Sequence, residues 1–265
     1  MEIKPLYEPH NLSPAYRLRY NWTGWIDDSS SFPENISGIL SSISPFWEKD
    51  GIHLLEHKIK NNAIFATVSS KPSLSPVLIC SRLKGRIQHS CREEGSPVRF
   101  SRKLSLRCIG ENTADEVTGY IAKQVAKEEL ADERYREILQ KYTEVKRSLD
   151  LSDPRQTKSG MYWYNLHFVL VVSGRYRIEN EESFEKLKTC SFKIAEKKGY
   201  EIKALSVMPE HLHVALRGNI EQSPEEIVLA FQNNLAYVMG MLYFWEFNYY
   251  VGTFGEYDMG IVRHA

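Results

Sequence analysis

The stretch YEIKALSVMPEHLHVALRG, residues 200–218, contains two short apolar runs joined by a turn that includes Pro209. Runs of this length and composition on either side of a proline predict two β-strands that form a hairpin. His211 and His213 interrupt the second run. Because side chains at positions i and i+2 of a strand point to the same face, the two imidazoles are expected to lie side by side.

The segments around this hairpin predict an α+β fold. Residues 161–176 are aromatic and β-branched, which favours a strand, and residues 179–199 have helical apolar spacing that stops at Gly199. Residues 223–241 open with Ser-Pro-Glu-Glu and carry an apolar helical stripe. The resulting order, β-α-β-β-α, is that of a ferredoxin-like unit, an antiparallel sheet with its helices on one face.

The first half repeats this pattern at a shift of 148 residues. The shift aligns the pairs Tyr16/Tyr164, Leu18/Leu166, Glu48/Glu196, Lys49/Lys197, Gly51/Gly199, Ser75/Ser223, Pro76/Pro224 and Ile79/Ile227. We therefore predict two ferredoxin-like repeats that form an internal pseudodimer. At this shift, His211 and His213 align with Ala63 and Phe65, so only the second repeat has the histidine pair.

These patterns divide the chain into three parts. Residues 1–111 form the first repeat, with its degenerate histidine positions, and residues 161–265 form the second, with the His-x-His strand. Residues 112–160 lie between them and hold a long helix-prone stretch, 112–150, followed by a polar linker. Asn112 or Thr113 is expected to cap that helix.

Composition and charge narrow the class of protein. The chain has 265 residues, of which 42% are hydrophobic, and it has no CxxC pair among its four cysteines. It shows no apolar run of about 20 residues and no basic-then-apolar leader. We expect a reduced cytoplasmic protein that makes no membrane contact and joins the nucleoid when bound to DNA.

One segment is strongly basic although the net charge of the chain is zero. Between residues 82 and 107, eight basic residues stand against two acidic ones, a local charge of +6. Such a segment can contact a phosphate backbone, although many charge runs are only solvated surface. The candidate DNA-binding residues are Arg82, Lys84, Arg86, Arg99, Arg102, Lys103 and Arg107.

The histidine pair has two interpretations at this stage. Two imidazoles on one strand face can bind a single divalent ion, and a site open to oxygen ligands also admits Mg²⁺ or Mn²⁺. Alternatively they are ordinary histidines on a half-exposed strand. His167, on the strand predicted to lie next to them, is either a supporting residue or an ordinary strand histidine. Glu210 is best interpreted as a surface turn residue.

The flanks of the pair resemble a known family. SVMPEHLHVALRG (206–218), SPEEIVLAFQNNLA (223–236) and YNLHFVLVVSGRYRI (164–178) resemble the signature region of the HUH-type single-tyrosine transposases, the insertion-sequence and REP-associated group. The resemblance covers residues 161 to 239. It implies that His211 and His213 bind a divalent metal, Mg²⁺ or Mn²⁺, that polarises a phosphate of single-stranded DNA. A helical tyrosine then attacks and becomes joined to the 5′ end. A glutamine one turn later completes the metal shell, and no nucleotide cofactor is needed.

The second half offers no tyrosine with a glutamine four residues later, which departs from the family pattern. The first half does, because GYIAKQV (119–125) places Tyr120 and Gln124 on one helix face. We therefore predict one composite site, with Tyr120 as nucleophile and Gln124 as third metal ligand. The alternative for Tyr120 is a half-buried packing residue. Tyr257, in GTFGEYDMG (252–260), is the reserve nucleophile.

The predicted function is metal-dependent cleavage and strand transfer of single-stranded or hairpin DNA through a phosphotyrosine intermediate. The chain would act as a monomeric pseudodimer or as a homodimer. Two alternatives remain open: a domesticated DNA-binding protein that no longer cleaves, and a metal-dependent phosphoesterase that uses the histidines without a tyrosine.

Overall fold

The computed structural model describes residues 5–127, 133–158, 160–241 and 243–256. The first half of the chain forms five strands and two helices of the first repeat. These are β1 (Ala15–Arg17), β2 (Arg19–Ile26), α1 (Ile36–Lys49), β3 (Ile52–Lys60), β4 (Ala63–Ser70), α2 (Pro76–Glu93) and β5 (Phe100–Ile109).

Three helices and three short strands connect the repeats, and the second repeat follows. The connecting elements are α3 (Ala114–Ala122), α4 (Gln124–Lys127), α5 (Glu133–Lys141), β6 (Thr143–Val145), β7 (Arg155–Gln156) and β8 (Gly160–Trp163). The second repeat contains β9 (Asn165–Val171), α6 (Glu181–Lys198), β10 (Glu201–Val207), β11 (His211–Arg217), α7 (Pro224–Met239) and β12 (Tyr250–Thr253).

The strand orders establish the fold as α+β with two mixed six-stranded sheets. Sheet A has the order β1-β12-β9-β11-β10-β6, and sheet B has the order β3-β4-β2-β5-β8-β7. Within each sheet, the four strands of one repeat follow the ferredoxin-like order, with the first strand between the fourth and the third. The predicted fold class is therefore confirmed, and β5 and β12 are the fourth strands that complete the two units.

Matching local signals start and stop the corresponding helices. The hydroxyls of Ser75 and Ser223 accept hydrogen bonds from backbone amides in the first turns of α2 and α7, at 3.3 and 3.2 Å. A proline occupies the first helical position in both, where its missing N–H costs nothing. Gly199 ends α6 at φ 73°, a left-handed conformation that glycine adopts without strain.

Backbone irregularities confirm the duplication and correct one part of its alignment. The pairing of β3 with β4 shifts between Leu54 and Glu56, and that of β10 with β11 shifts between Ile202 and Ala204, a separation of 148 residues. In the first strand, however, Leu18 corresponds to Tyr164 and not to Leu166. Side chains in a strand alternate with a period of two, so a two-residue slip leaves the apolar pattern unchanged and escapes detection in the sequence.

The two repeats exchange short strands in a pseudo-twofold arrangement. β1 pairs in parallel with β12 of sheet A before the chain enters sheet B as β2. β8 likewise pairs in parallel with β5 of sheet B before the chain enters sheet A as β9. The crossing residues, Leu18 and Tyr164, are buried in one continuous core. The repeats therefore fold against each other as a pseudodimer.

The helix-prone stretch at 112–150 is not one long helix, which corrects the prediction. Lys123, at φ −92° and ψ 1°, ends α3, and β6 pairs with the edge strand β10. Pairing with the open edge of the sheet satisfies backbone groups there, and this tertiary contact overrides local helix propensity. The Thr113 cap is confirmed, in a capping box with Glu116.

Two further features bear on the predicted class. No helix in the described part of the chain is long and apolar enough to cross a membrane. All four cysteines are free thiols, and burial of Cys80 and Cys108 raises the pKa of each.

Candidate functional site

The candidate site lies on the outer face of sheet A. Helices α6 and α7 cover the inner face, where Leu212 and Val214 are buried, so the alternate residues of β11 point outward. His211 and His213 lie on the outer face, as predicted. On the neighbouring strand β9, His167 lies opposite Ala215 and therefore points to the same face. The register of these two strands thus brings three imidazoles together.

The three rings are in direct contact. The ring centroids of His211 and His213 are 4.8 Å apart, with the planes nearly perpendicular at 87°. The rings of His167 and His213 stack at 5.4 Å with a 17° interplanar angle. Nε2 of His167 lies 3.2 Å from Nδ1 of His213, which is hydrogen-bonding distance. His213 therefore contacts both of the other imidazoles.

Burial lowers the pKa of two of the three imidazoles, those of His213 and His167. Burial, followed by the fields of His167, His211 and Lys127, lowers the pKa of His213 to about 2. Burial lowers the pKa of His167 to about 4. A neutral imidazole retains a lone pair, which is the form that binds a metal ion. The site can therefore offer nitrogen ligands throughout the physiological pH range.

Helix α3 brings Tyr120 to this face from the first repeat. Val117 and Ile121 of α3 pack with Ala204, Ala215 and Phe254 in a small apolar cluster on sheet A. Tyr120 lies beside this cluster, with its ring centroid 5.5 Å from that of His213. Its centroid is 6.2 Å from that of His167. Tyr120 is 44% exposed, so an incoming substrate can reach it.

Lys127, which sequence reasoning missed, belongs to the same group. Its Nζ lies 4.0 Å from the centroid of the Tyr120 ring, a cation–π contact. The same charge helps lower the pKa of His213. The sequence contains one indication of this contact. Lys127 follows Tyr120 by seven residues, and residues seven apart lie on the same side of a helix. The local break after α3 preserves this proximity.

Gln124 is buried, with only 6% of its surface exposed. Its Nε2 donates a hydrogen bond to the backbone carbonyl of Tyr120, at 3.0 Å. This bond satisfies a carbonyl at the end of α3, where the helical hydrogen-bond pattern is interrupted at Lys123 before α4 begins. The atom of Gln124 that remains suitable for a metal is Oε1.

Tyr257 and Glu210 are the two remaining candidates from the sequence. Tyr257 lies outside the described residues. Glu210 is in the turn before β11, where Oε1 contacts Nη1 of Arg175 at 3.1 Å and lies 4.0 Å from Nδ1 of His211. Glu210 is thus a paired turn residue at the edge of the site.

The basic residues separate into two groups on the first repeat. Arg82, Lys84 and Arg86 are on α2, while the remaining four are on β5 or immediately before it. Some are engaged within the protein: Nζ of Lys84 donates to the carbonyl of Ser101 at 2.8 Å, and Arg86 pairs with Asp50 at 2.7 Å.

Among the rest, Arg107 pairs with Glu256 at 3.2 Å and also stacks on Trp163 at 4.2 Å from the ring centroid. The residues with exposed side chains are Arg82, Arg99, Arg102 and Lys103. These four are the members best placed to meet a phosphate backbone.

The donor set fits a divalent ion held by few protein ligands. Within the described residues, no group of three or more His, Cys, Asp and Glu side chains is arranged to hold a metal. His211 and His213 present two imidazoles side by side on one strand face, which is a donor set of few protein ligands. Such a site suits a metal that also binds phosphate oxygens and water.

The fold and the site together define a ferredoxin-like domain with a strand-borne histidine pair and a neighbouring helical tyrosine. Residues 161–264 match the family model described as "Transposase IS200 like". The C-terminal part of this chain is therefore an IS200-like transposase domain, as the sequence resemblance indicated.

A solved structure and the curated proteins provide two further comparisons. A solved structure from Deinococcus radiodurans R1, of a protein provisionally described as a transposase, aligns with 42% of this chain and 93% of its own length. Its sequence identity is 21% and its TM-score is 0.36. No curated protein shows significant similarity to this chain.

Proposed function

We propose that the protein cleaves and rejoins single-stranded DNA through a covalent bond between Tyr120 and a 5′ phosphate. One observation carries the proposal: α3 of the first repeat packs Tyr120 against His213 of the second. Two residues 93 positions apart in the printed sequence thereby supply the nucleophile and the metal-binding nitrogen of one site. The IS200-like family of residues 161–264 supports the same chemistry.

The reaction exchanges one phosphate ester for another. The phenolic oxygen of Tyr120 forms a bond to phosphorus, and the bond from phosphorus to the 3′ oxygen breaks. The phenolic proton passes to water, and the departing 3′ oxygen takes up a proton to become a hydroxyl. Attack by a 3′ hydroxyl on the phosphotyrosine reverses these changes, so strand joining needs no nucleotide cofactor.

His211 and His213 would hold a divalent ion, with Oε1 of Gln124 as a third ligand. When bound, the ion would polarise the phosphate as a Lewis acid. The half-buried imidazole of His211 and the buried imidazole of His213 are held in place by their strand and by contact with each other. This rigidity positions the ligands before DNA arrives, which is how an electrostatic site gains most of its effect.

Lys127 has a separate role in this scheme. Its ammonium, 4.0 Å from the ring centroid of Tyr120, stabilises negative charge on the phenolic oxygen as the proton leaves. The same cation attracts the phosphate to the ring. Lys127 lies on α4, directly after the helix that bears Tyr120, so one short segment would supply the nucleophile and its counter-charge.

The exposed basic residues of the first repeat would hold DNA outside the reacting centre. Arg82, Arg99, Arg102 and Lys103 are exposed and do not lie in the histidine cluster. Contacts of this kind contribute affinity that is independent of sequence and weakens with salt. Base-specific recognition of an unpaired strand or a hairpin would need further contacts.

A covalent-adduct assay tests the proposal. Labelled single-stranded DNA with candidate hairpins is mixed with the full chain and Mn²⁺ or Mg²⁺, and the products are separated under denaturing conditions. We expect an adduct with the natural sequence, none with Tyr120→Phe or His211→Ala, and an unchanged yield with Tyr237→Phe. Tyr237 is a matched control because it is also an exposed helical tyrosine, on α7.

Each other outcome of the assay would support a different function or a different nucleophile. An adduct that survives Tyr120→Phe and disappears with Tyr257→Phe would move the nucleophile to the second repeat. Cleavage without an adduct in both variants would favour the tyrosine-free phosphoesterase. DNA binding without cleavage would favour the domesticated binder.

A further inference from the structure

We propose that His167 is a positioning residue that selects the proton form of His213. Nε2 of His167 and Nδ1 of His213 are 3.2 Å apart, and the two rings are nearly parallel. The family match covers both residues but does not assign a role to His167. The inference rests on the proposed metal site, because its consequence is which nitrogen of His213 faces the ion.

One proton must lie between the two nitrogens. At 3.2 Å, two N–H groups cannot face each other, so at least one of the two nitrogens presents a lone pair. His213 is only 5% exposed, which leaves its Nδ1 without access to bulk water. Two lone pairs facing each other would leave a buried nitrogen unsatisfied, so one ring donates to the other.

The direction of donation decides whether His213 can bind a metal. If His167 donates, the proton of His213 must be on Nε2, and neither nitrogen of His213 has a free lone pair. If His213 donates from Nδ1, its Nε2 keeps the lone pair. Metal ligation therefore requires His167 to act as the acceptor, with its own proton on Nδ1.

The surroundings of His167 hold its ring in this position. It lies on the central part of β9, directly opposite Ala215 and Gly252, so small neighbours leave room for the ring on both sides. The ring of Tyr250 contacts it edge-on at 6.0 Å, and that of Tyr120 at 6.2 Å. His167 is thus fixed by strand register and by two aromatic contacts.

Two substitutions of His167 test the hydrogen-bond acceptor and the aromatic ring one at a time. His167→Phe keeps an aromatic ring for stacking but has no acceptor. His167→Gln has no ring but places an amide oxygen near the position of Nε2. His53→Phe is a matched control, since it changes an exposed histidine on β3 of the other sheet. Thermal unfolding of each full-length variant shows whether it folds.

The first readout is Mn²⁺ affinity without DNA, measured by calorimetry or by the paramagnetic signal of the free ion. We expect His167→Phe to weaken binding by about 10- to 100-fold, the range known for residues that orient a metal ligand. His167→Gln should restore binding to within about threefold of the natural chain, and His53→Phe should leave it unchanged. Natural affinity in a folded His167→Phe variant would overturn the proposal. Equal loss with Phe and Gln would assign His167 to direct ligation instead.

The second readout does not depend on the metal. Nitrogen chemical shifts of selectively labelled histidines distinguish an imidazole protonated on Nδ1 from one protonated on Nε2. In the metal-free chain we expect His213 to carry its proton on Nδ1, and to lose that preference in His167→Phe. A proton on Nε2 of His213 in the natural chain would refute the inference. A natural chain that shows the expected tautomer but binds no Mn²⁺ would instead refute the metal site of the proposed function.

Discussion

The outer faces of the two sheets have the same backbone and different chemistry. His213 on sheet A lies opposite Ser206 and Val169, and the corresponding Phe65 on sheet B lies opposite Lys58 and Thr23. Sheet A also receives α3 with its tyrosine. The repeat that precedes the helix has no histidine at these positions, and the repeat that has the histidines receives the helix.

This difference shows how a duplicated fold can retain a single site. The position holds a buried histidine on sheet A and a half-buried phenylalanine on sheet B, so aromatic packing by itself does not require histidine. Only the chemistry of the site would select for histidine. Because α3 crosses to the opposite sheet, loss of the ligands on sheet B leaves the site on sheet A intact.

The largest expected effect is the loss of adduct formation when either half of the composite site is changed. Mixing the variants then tests whether both halves lie within one chain. Tyr120→Phe and His211→Ala should each abolish the adduct, a loss on the order of 10³-fold or more. Mixing the two inactive chains should restore nothing, because α3 packs on sheet A of its own chain. Adduct formation in the mixture, measured against a mixture of each variant with itself, would show that helices exchange between chains.

The next prediction concerns the replacement of His213 on sheet A by phenylalanine, the residue found at the corresponding position, Phe65, on sheet B. His213→Phe should remove metal binding and the adduct, and it should lower the free energy of unfolding by about 1–3 kcal/mol because it leaves Nε2 of His167 without its hydrogen-bond partner. Calorimetry with Mn²⁺ and urea unfolding provide the two measurements. Phe65→His, the reverse change, should add no second adduct. A destabilisation of several kcal/mol in His213→Phe would mean that the two faces are packed differently.

Lys127→Met should have a smaller effect on the same reaction. We expect adduct formation to slow by about 10- to 100-fold, because one preorganised charge near the developing phenolate is removed. Mn²⁺ affinity should be retained or slightly increased, since the positive charge opposes a cation at His213. Lys123→Met, on the same segment, is the control. Equal rates for the two variants would remove Lys127 from the site.

The smallest expected effect is on stability as a function of pH. Unfolded histidines titrate near pH 6.5, whereas folded His167 and His213 have pKa values lowered to about 4 and about 2. Below about pH 6.5 the unfolded chain gains protons that the folded chain does not, so the free energy of unfolding falls as the pH falls. The loss approaches about 1.4 kcal/mol per pH unit for each of the two imidazoles.

Urea unfolding between about pH 6.5 and pH 5 measures this dependence before carboxylates titrate. His213→Phe removes one of the two groups, so its stability should fall less steeply over the same interval. His53→Phe, which changes an exposed histidine outside the cluster, is the control. Identical slopes in all three proteins would indicate that the buried imidazoles take up protons in the folded chain.

The amino-acid sequence by itself determined the elements and the chemical candidates. Apolar periodicity and helix signals such as Ser223 and Gly199 act locally, so the α+β order and the repeat could be predicted from them. The histidine pair on one strand face followed from the two-residue period of a strand. The pairing of Tyr120 with these histidines was inferred from the separation of the motifs between the repeats.

Only the tertiary structure decided what depends on contacts between distant segments. Edge pairing converted part of the 112–150 stretch into β6, and the alternation of strand side chains concealed the two-residue shift at Leu18. Helix packing brings Lys127 to the candidate site, and strand register decides that His167, for which the sequence left two interpretations open, contacts His213. The backbone preference of a residue depends on its own type and on its neighbours in the sequence. The distance between side chains of separate segments depends instead on how the sheets and helices pack.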